Sequence, residues 1–586
     1  MVMKKKYSNF IAVIIFAFLS CMFSLYFIRT GGMVLTSDSS FHISRVEEIY
    51  RNLKEGKVFT FTAAHTFSNS GVGNFMFYPT LFLYPWALLR FIFNPVTSFY
   101  LWYGLFLFLT MVIAYYSMLS YSSSKVRSYA FSLVYSLAAY HIHLGTWNYV
   151  LGEFTAYTFI PLAFLGIYHV LFGDSRKWKI LSCGMTLIMY SHLLSVYITA
   201  MILVLITVGS ILYKKGISKE RIISLVKSGF LALLLVCPQL ILFITDYIGQ
   251  NIGTPQKSFA YTMTVMQLLE PSLNNTSSIN RSVGIIIIIT AFIGWYFVKN
   301  RGRERNIYII GIIFLCLATK LTPWDLLSKT FVLNIIGQIQ FPYRFNMYSS
   351  FFLAITASLI IQKILEIGSD NYLKSINAVI LTVVMVISYA SVVTDTIART
   401  NSNAIYLQKN TTALATLPVN SYVNSSNYSN IFTYLVLFGE TDYYPKQSYA
   451  SYNNINSSVN AQTIVKHEGY SNKRKISIKL VKTSANTIIY KAKATKDGKL
   501  DLPVVKYPHT KVILNGNATK FDTSDRGTIQ VNVNKGINNI MIRYQPSKLF
   551  YVGIGIAVIT WGILLVITIS KVLLKIREHS IGGLRV

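Results

Sequence analysis

The sequence predicts a mainly α-helical membrane protein with about twelve transmembrane helices and a β-rich domain before the last of them. Hydrophobic residues make up 53% of the 586 residues and charged residues only 13%, whereas soluble domains carry about 25% charged residues. Apolar segments of membrane-spanning length recur along the chain, and a stretch near the C-terminus alternates apolar and polar residues as strands do. Most of the chain is therefore expected to lie in lipid.

Twelve segments are interpreted as membrane spans. They are 9–29, 97–119, 127–142, 156–172, 179–195, 197–213, 226–245, 283–299, 306–320, 346–363, 375–394 and 549–570. Nearly every short basic loop lies on one side of the membrane if the N-terminus is cytoplasmic, as the positive-inside rule requires. We therefore expect a multi-pass protein of the cell membrane with both termini in the cytoplasm. The N-terminal MKKK and its apolar run are interpreted as a retained anchor, since no small-residue cleavage site follows.

The apolar segment 78–93 is expected outside, because counting it as a span would reverse the sidedness of every later loop. It contains Pro79 and Pro85, which weaken a regular helix. We interpret it as a second helix that lies along the membrane or dips into it, within a first outer loop 30–96. The predicted domains are a transmembrane domain 1–394, an extracytoplasmic domain 395–548, and a final helix with a basic tail 549–586.

From Arg474 onward the extracytoplasmic domain alternates apolar and polar residues, with turn signals at 497–498 and 515–516. This pattern predicts a small antiparallel sheet domain with hairpins. Residues 394–548 contain 20 Lys and Arg against 8 Asp and Glu, a net charge of +12. Such a charge favours anionic envelope polymers or lipid headgroups as partners, with a merely solvated surface as the alternative. The charge of +32 on the whole chain does not indicate nucleic acid, because much of it lies at the cytoplasmic ends of spans.

The stretch LTSDSSFHISRVEEIYRNLKEG, residues 35–56, predicts a short amphipathic helix directly after the first span. Asp38 and two serines form an N-cap signal, apolar residues then recur every three to four positions, and Gly56 supplies a stop. His42 and Arg45 lie three residues apart and are therefore neighbours on the helix surface. We expect this helix at the membrane surface, with a carboxylate, an imidazole and a guanidinium gathered at its start.

The other predicted outer segments contain residue types that bind sugars and phosphates, namely aromatic rings, imidazoles, carboxylates and guanidiniums. Those candidates are Tyr78, His143, Trp147, Glu153, His192, Gln340 and Arg344, while Glu270 and Asp442 are further acidic residues of these segments. Structural alternatives stay open for several of them. Asp38 could only cap its helix, Arg45 could pair with Glu48, and Arg344 could snorkel to the interface. His42 could be a solvated residue, and Trp147 an ordinary interfacial one.

No cofactor is expected, and a divalent metal is left open. His141, His143 and Glu153 lack a nearby third His or Cys, so a zinc site is not predicted there. The chain contains no Walker A sequence, so nothing supports ATP-driven transport.

Several short motifs resemble a known bacterial family. They are the helix with Asp38, Phe41-His42 and Arg45, then Tyr78-Pro79, then Gly152-Glu153, then Gln340-Phe341-Pro342-Tyr343-Arg344, and the outer segment LPVVKYPHTKVILNGNATKF before the last span. The chain is similar in these features to the YfhO-like, or 6-pyruvoyl-tetrahydropterin synthase-related, membrane proteins, which look like members of the GT-C glycosyltransferase superfamily. The resemblance implies a GT-C-like fold and a sugar taken from a polyprenyl-phosphate carrier on the outer face.

The resemblance also implies that an acidic residue of the first outer loop is catalytic, and by position this residue is Asp38. Metal-dependent members carry an acidic pair in outer loops, whereas the second outer loop here offers only Glu153. One base and a set of cations suffice for the transfer, because a phosphate leaves without a general acid. Asp38 is the expected base, and Arg45 and Arg344 are expected at the lipid phosphate.

The predicted function is that of a membrane glycosyltransferase of the EC 2.4 class, which moves a sugar from a polyprenyl-phosphate donor to a teichoic acid, glycolipid or other envelope polymer. The alternative is a non-catalytic lipid-carrier transporter or envelope assembly factor. A transporter should show polar residues continuing through the bilayer. Here the notable polar residues gather on one face, which favours the enzyme.

Overall fold

The computed structural model describes residues 2–214, 216–254, 257–276, 281–365, 371–451 and 454–582. The first eleven helices are α1 (Val2–Ile28), α2 (Ser39–Lys54), α3 (Asn74–Phe77), α4 (Tyr84–Leu89), α5 (Pro95–Ser122), α6 (Lys125–Ser136), α7 (Ala139–Thr146), α8 (Leu151–Leu171), α9 (Lys179–Met189), α10 (Leu193–Lys214) and α11 (Lys219–Leu235). The others are α12 (Cys237–Leu242), α13 (Val265–Leu273), α14 (Ile285–Val298), α15 (Gly302–Leu317), α16 (Trp324–Leu327), α17 (Val332–Ile336), α18 (Asn346–Leu365), α19 (Asn371–Ser402), α20 (Val459–Val465) and α21 (Lys548–Gly582). The end of the predicted basic tail, beyond residue 582, lies outside the described residues.

The strands begin after α1 and then occupy the C-terminal third of the chain. They are β1 (Gly32–Leu35), β2 (Ile405–Tyr406), β3 (Ser421–Asn424), β4 (Gly469–Ser471), β5 (Arg474–Ile476), β6 (Ile478–Ser484), β7 (Thr487–Ala494), β8 (Gly498–Val505), β9 (Thr510–Leu514), β10 (Asn517–Thr519), β11 (Asp522–Thr523), β12 (Thr528–Val533) and β13 (Gly536–Tyr544).

Seven helices are long and apolar enough to cross a membrane. They are Asn9–Ile28, Pro95–Ser122, Leu151–Leu171, Leu193–Tyr213, Pro342–Leu365, Ser375–Arg399 and Lys548–Leu574. Helix α11 and the segment 237–247 pass the same test together but bend by 71°, as a broken span or a re-entrant loop does. These eight units coincide with eight of the twelve predicted spans. The other four predicted spans fall on shorter helices of the described chain, so the count of twelve stays a prediction.

The predicted span 127–142 is wrong as a single helix, because α6 ends at Ser136 and α7 begins at Ala139. The ring Nδ1 of His141 donates to the Ser136 carbonyl at 2.8 Å, which removes that carbonyl from the helical ladder. The prediction 179–195 is also divided, since α9 ends at Met189 and α10 starts only at Leu193. Both breaks place polar turns next to the candidate site described below.

The segment 78–93 is shorter in helix than predicted. It folds as a 3₁₀ turn, Leu81–Leu83, followed by α4, which has a proline in its first turn where the missing N–H costs nothing. Directly after the last residue of α4, Arg90 donates to the Glu47 carboxylate of α2 at 2.8 Å. The segment thus packs on α2.

The predicted antiparallel domain is confirmed as two five-stranded sheets packed face to face. Their strand orders are β10-β9-β13-β7-β6 and β11-β12-β8-β4-β5. Buried apolar residues from both sheets, among them Tyr490, Leu500 and Ile540, form one hydrophobic cluster. The β9–β10 hairpin turns at Asn515 and Gly516, both with positive φ, as the sequence predicts.

The first part of the predicted outer domain forms a sheet with the segment that follows the first helix. Strand β3 pairs with β1 directly after the first helix, and β2 pairs with β3 in parallel, which gives a three-stranded sheet of order β1-β3-β2. The domain boundary at residue 395 therefore stays a prediction, while the described sandwich runs from Gly469 to Tyr544.

Asn486, in the β6–β7 turn, connects the sandwich to the first outer loop. Its Oδ1 accepts from the backbone N–H groups of Phe61 and Thr62 at 2.7 and 3.1 Å, and its Nδ2 donates to the Phe59 carbonyl at 2.9 Å. Its φ is 56°, a conformation that asparagine tolerates better than most residues. One side chain therefore ties three backbone groups of the loop to the sheet.

We expect Asn486→Ala to loosen this connection by about 2 kcal/mol, because buried backbone groups lose their partners. The Phe61 and Thr62 amides should then exchange with deuterium roughly 30-fold faster. Hydrogen exchange with mass spectrometry measures this directly. Asn472→Ala is the control, since Asn472 has a similar positive φ of 48° in another turn. Equal exchange in the two variants would show that Asn486 does not hold the loop.

Candidate functional site

Helix α2 forms where predicted, and most of its residues are buried in protein. Twelve of its sixteen residues are buried, because the loop 57–79 and the segment 436–446 cover its polar face. Asp38 occupies the N-cap position without a side-chain cap hydrogen bond, so the cap alternative is wrong. The amphipathic pattern of α2 therefore marks an interface between protein segments.

Glu48 holds the first outer loop on α2. Its carboxylate accepts from the backbone N–H groups of Ala64, His65 and Thr66 at 2.8–2.9 Å, and from the Thr66 hydroxyl at 2.9 Å. Burial raises the pKa of Glu48, while these donors oppose the rise. The expected alternative, a salt bridge between Glu48 and Arg45, is thus wrong, because the loop backbone occupies the carboxylate.

Arg45 is fully buried and has unused donors. Its Nη2 donates to the Tyr78 and Pro79 carbonyls at 2.9 and 2.7 Å, and its guanidinium lies 4.4 Å from the centre of the Tyr78 ring. Nε and Nη1 have no hydrogen-bond partner among the described residues. Burial lowers the pKa of Arg45 to about 10, so it stays cationic at neutral pH. The structure thus presents a buried positive charge with two donors available to an anion.

His42 and His192 flank the Tyr78 ring, each with its own ring centroid 5.8 Å from that of Tyr78. Burial lowers the pKa of His42 well below its usual value, and the charges of Arg45 and His192 lower it further. His42 is therefore a neutral imidazole at neutral pH, with Nδ1 unpaired among the described residues. A Cβ at Gly152 would collide with the Tyr78 hydroxyl, so this close packing requires glycine.

Asp38 lies where the chain leaves β1 and meets the turn between α7 and α8. Its backbone N–H donates to the Asn148 carbonyl at 3.3 Å, and the neighbouring Ser37 hydroxyl donates to Asn148 Oδ1 at 2.8 Å. The Thr36 hydroxyl donates to the Trp147 carbonyl. Backbone contacts on both sides thus place Asp38, and its carboxylate remains partly exposed.

Arg344 is turned into the protein, so the snorkelling alternative is wrong. Its side chain is 11% exposed, and its Nε lies 3.6 Å from Glu153 Oε2. Nη1 donates to the Ile339 carbonyl at 2.6 Å and approaches Gln340 Oε1 at 3.5 Å. The Tyr140 hydroxyl donates to Glu153 Oε1 at 2.8 Å. The ion pair is loose, and Arg344 Nε makes no hydrogen bond within the described chain.

Asp442, which the sequence marked only as a further acidic residue of the outer segments, enters the site from the C-terminal part of the chain. The Leu437 N–H donates to the Ser40 hydroxyl of α2 at 3.0 Å. A Cβ at Gly439 would lie 2.6 Å from the Phe41 ring and 3.4 Å from Asp442 Oδ2. Asp442 therefore lies beside the first turn of α2. The only sequence signal was its acidic character in an outer segment, because its position depends on a fold contact across about 400 residues.

The segment around Asp442 is fixed at both ends. The Glu440 carboxylate accepts from the Val436 N–H at 2.8 Å and from the Ser68 hydroxyl at 2.7 Å. The Tyr443 carbonyl accepts from the Tyr507 hydroxyl of the sandwich at 2.7 Å, and Tyr443 itself has a φ of 66°. Such backbone strain persists only where surrounding contacts enforce it.

Asp38 carries a strongly shifted pKa. The surrounding protein desolvates the carboxylate and raises its pKa to about 7, the charge of Arg344 opposes the rise, and Asp442 and Glu153 add to it. Burial raises the pKa of Asp442 to about 6. Asp38, Asp442, Glu153 and Arg344 thus form one electrostatic cluster, and a group with a pKa near 7 is suited to proton transfer.

Three of the predicted residues contribute in other ways. His143 is buried and offers its carbonyl to the Trp147 and Asn148 N–H groups. Trp147 contributes its own carbonyl to Thr36. Gln340 has a φ of 62°, and its carbonyl accepts from the Ala260 N–H at 2.7 Å. Glu270 is exposed on α13 and has no contact with this cluster in the described structure. Within the described residues, no three His, Cys, Asp or Glu side chains form a group that could hold a metal.

An apolar groove of about 500 Å³ runs beside α9, α10 and α11. It is lined by Met185, Met189, Val196, Leu203 and Val236, with small residues between them. Met189 and Val196 flank the turn that carries His192, and the Val196 N–H donates to the His192 carbonyl at 3.1 Å. Part of the groove wall is therefore built from residues next to the turn that carries His192.

No family model and no curated protein matches this chain. It is similar to the arabinofuranosyltransferase AftD from Mycobacteria, with 13% identity and a TM-score of 0.37, over 66% of this chain and 27% of that one. It is also similar to ArnT from Cupriavidus metallidurans, solved bound to undecaprenyl phosphate, with 10% identity and a TM-score of 0.36, over 72% of this chain and 85% of that one. Sequence identities and TM-scores this low define neither the fold nor the function of this chain.

We expect Asp38→Asn to stabilise the protein at pH 8. The pKa of about 7 lies above the unfolded value of about 3.9, so ionised Asp38 destabilises the fold fully above pH 7, and this cost disappears as the pH falls toward 4. A pKa about three units higher in the folded protein corresponds to about 4 kcal/mol at pH 8. Solvent that reaches the half-buried Asp38 reduces the expected gain to about 2 kcal/mol, or roughly 2–4 °C in apparent Tm. Thermal unfolding at pH 8 and pH 5 measures it. The Asp174→Asn variant should show no such gain, because Asp174 is only half-buried and pairs with Arg176 at 3.0 Å. An Asp38→Asn effect that is equal at both pH values would contradict the burial of the Asp38 carboxylate.

Proposed function

We propose that this protein is a membrane glycosyltransferase which moves a sugar from a polyprenyl-phosphate donor to an envelope acceptor, such as a teichoic acid, a glycolipid or another polymer. The reaction takes place at the outer face of a cell membrane that the chain crosses several times, with both termini in the cytoplasm. The carboxylate of Asp38 is the base, and Arg45 and Arg344 bind the lipid phosphate.

One observation carries this proposal: Arg45 and Arg344 are shielded from solvent and keep N–H donors without a hydrogen-bond partner among the described residues, and the charge of Arg344 acts on Asp38, whose pKa burial raises to about 7. The contrast with Arg127 shows what a structural pair looks like in this chain. Arg127 makes a bidentate pair with Glu304 at 2.9 and 2.8 Å, and both carboxylate oxygens are used. A buried charge without such a partner is costly, so an anionic ligand is the natural complement of Arg45 and Arg344.

The donor fits the surroundings of these two arginines. A polyprenyl phosphate joins a long apolar chain to a charged phosphate, and the apolar groove is lined in part by Met189 and Val196, which flank the turn that carries His192. Guanidiniums present planar pairs of donors that match phosphate oxygens. The aromatic ring of Tyr78 and the neutral imidazoles of His42 and His192 then offer a face and hydrogen-bonding nitrogens to a sugar ring.

The reaction needs one base and no added acid. The acceptor hydroxyl attacks the anomeric carbon of the sugar while its proton moves to an Asp38 carboxylate oxygen. The new bond joins the acceptor oxygen to the anomeric carbon, and the bond from that carbon to the phosphate oxygen breaks. Its electron pair stays on the departing polyprenyl phosphate, where the charges of Arg45 and Arg344 stabilise it. The protonated Asp38 then returns its proton to water.

We expect Arg344→Gln to weaken binding of a polyprenyl phosphate roughly 10- to 100-fold, the range for one charge-assisted hydrogen bond of about 1.5–3 kcal/mol. Binding of the uncharged polyprenol should be unchanged, because the apolar groove is intact. Intrinsic fluorescence or native mass spectrometry of the purified protein measures both. Arg176→Gln is the control, since Arg176 is exposed on a loop. Wild-type phosphate affinity in Arg344→Gln would remove Arg344 from the donor site.

We expect Asp38→Asn to abolish transfer while the protein still reaches the membrane. The sugar content of the envelope is compared between wild-type cells, a deletion strain, and strains with Asp38→Asn or Asp174→Asn, with protein levels checked. Loss of the same sugar in the deletion and Asp38→Asn strains supports the base assignment. If the deletion loses the sugar and Asp38→Asn keeps it, the lipid-carrier transporter or assembly factor becomes the better explanation.

The pH dependence is a separate test of the base. Asp38 must be ionised to accept a proton, and its pKa is about 7, so the rate of sugar transfer in membrane vesicles should rise about tenfold per pH unit below pH 7 and level off above it. A rate that is flat between pH 5.5 and pH 8 would exclude Asp38 as the base.

A further inference from the structure

The sheet β10-β9-β13-β7-β6 displays an outer face on which every charge is positive. Its strands contain five lysines and one arginine, and no Asp or Glu. These residues are Lys479, Lys482, Lys491, Lys493, Lys511 and Arg543, and all six are exposed. The strand register puts them on the same face, because residues paired across neighbouring strands share a side of the sheet. We call this surface the cationic face.

Two pairs of like charges stand directly opposite each other on the cationic face. Lys511 of β9 is paired with Arg543 of β13, and Lys491 of β7 is paired with Lys479 of β6. Directly opposed like charges destabilise a sheet. Between the cations lie apolar side chains, with Met541 paired both to Ile489 and to Ile513. The face thus combines an uncompensated positive charge with an apolar centre.

In the other sheet of the sandwich and its turns, several cations form ion pairs with carboxylates. Lys499 donates to Asp522 at 2.8 Å, Lys475 to Glu468 at 2.7 Å, and Arg526 to Asp501 at 2.8 Å. The basic composition of the domain therefore does not by itself explain the cationic face. Carboxylates thus neutralise three cations of the second sheet and its turns, whereas no cation of the cationic face has a carboxylate partner among the described residues.

The cationic face extends away from the membrane. Its row with Lys511 and Arg543 lies at the membrane end, since β13 leads within a few residues into the span that begins at Lys548. His509, just before β9, pairs with Asp246 of the membrane half at 2.9 Å. Lys493 is paired with Ile537, six residues from Arg543, which is about 20 Å along the sheet. The cations therefore form a track that leaves the membrane.

We propose that the cationic face binds an anionic, phosphate-rich polymer that runs outward from the membrane. Lipid headgroups would interact with the membrane end alone, because their field is screened within about 8 Å at physiological salt. A flexible polyanion can follow the whole track, and its apolar backbone atoms can lie on the Ile489 and Met541 side chains. The binding stands independently of the transfer reaction, whereas the interpretation of this polymer as the sugar acceptor rests on the proposed function.

The test compares two variants with the same loss of charge. The face variant carries Lys479→Gln, Lys491→Gln, Lys511→Gln and Arg543→Gln. The control variant carries Lys446→Gln, Lys466→Gln, Lys475→Gln and Lys499→Gln, which are exposed lysines away from the cationic face. The full-length protein is placed in nanodiscs of zwitterionic lipid and titrated with fluorescently labelled linear polyphosphate. Thermal unfolding shows that both variants fold.

We expect the Kd for polyphosphate to rise at least roughly tenfold in the face variant and to stay within about twofold of wild type in the control. The slope of log affinity against log salt concentration should become shallower by roughly 0.7 for each cation that had bound a phosphate. Equal losses in the two variants would overturn the proposal, because binding would then follow net charge alone. Binding to vesicles containing an anionic phospholipid, without binding to polyphosphate, would overturn it in favour of a membrane surface.

The Asp38→Asn variant separates this proposal from the transferase. It should bind polyphosphate as the wild type does, because Asp38 is not part of the cationic face. Wild-type binding with no effect of Asp38→Asn on envelope sugar would leave the cationic face standing and remove the proposed reaction. If sugar transfer depends on Asp38 but the protein does not bind polyphosphate, the proposed reaction stands and the proposal for the cationic face is overturned.

Discussion

The contact between Glu48 and the backbone of residues 64–66 is the interaction on which the outer half depends. It fixes the first outer loop on α2, and that loop then supplies the attachment points for everything that covers the site. The Ser70 carbonyl accepts from the Val505 N–H of the sandwich, and the Gly73 N–H donates to the Tyr507 hydroxyl, which in turn holds Tyr443. A helix, a loop, a sandwich and a returning segment therefore close a ring around Asp38. A carboxylate that accepts several backbone N–H groups is a strong and directional anchor.

Inside this ring the protein accepts a large electrostatic cost. Arg45 is buried with two unused donor groups, Arg344 has one, and Asp38 and Asp442 lie in the same desolvated space. Replacing such groups by apolar ones would often stabilise a protein. Their presence indicates a function that needs a fixed cation and a titratable carboxylate in a site shielded from water. Preorganised charges lose no energy to reorganisation during a reaction.

Sequence reasoning was most accurate where periodicity is long and local. The helix after the first span, seven of the apolar helices and the hairpins of the outer domain were all predicted, because apolar spacing and turn residues determine them within a short window. It did not reveal that the polar face of α2 is buried, because the charged residues of α2 are matched by loop carbonyls and N–H groups that no sequence pattern shows. For a related reason, the sequence marked Asp442 only as a further acidic residue of the outer segments and not as a site candidate. Its place beside α2 depends on packing between residues about 400 positions apart.

The charge balance of the cluster limits how a lipid phosphate can bind there. Arg344 already interacts with Asp38 and Glu153, the charge of Asp442 also acts on Asp38, and a phosphate brings further negative charge into the same desolvated space. By itself that charge would raise the pKa of Asp38 further and leave the base protonated. The phosphate must therefore bind mainly to Arg45, whose nearest groups are carbonyls and an aromatic ring and not carboxylates. Arg344 then contributes to phosphate binding while its charge still helps to keep Asp38 ionised. In this arrangement the two arginines have different roles. Arg45 is the principal phosphate ligand, and Arg344 interacts with both the phosphate and the base. The reaction therefore needs both arginines.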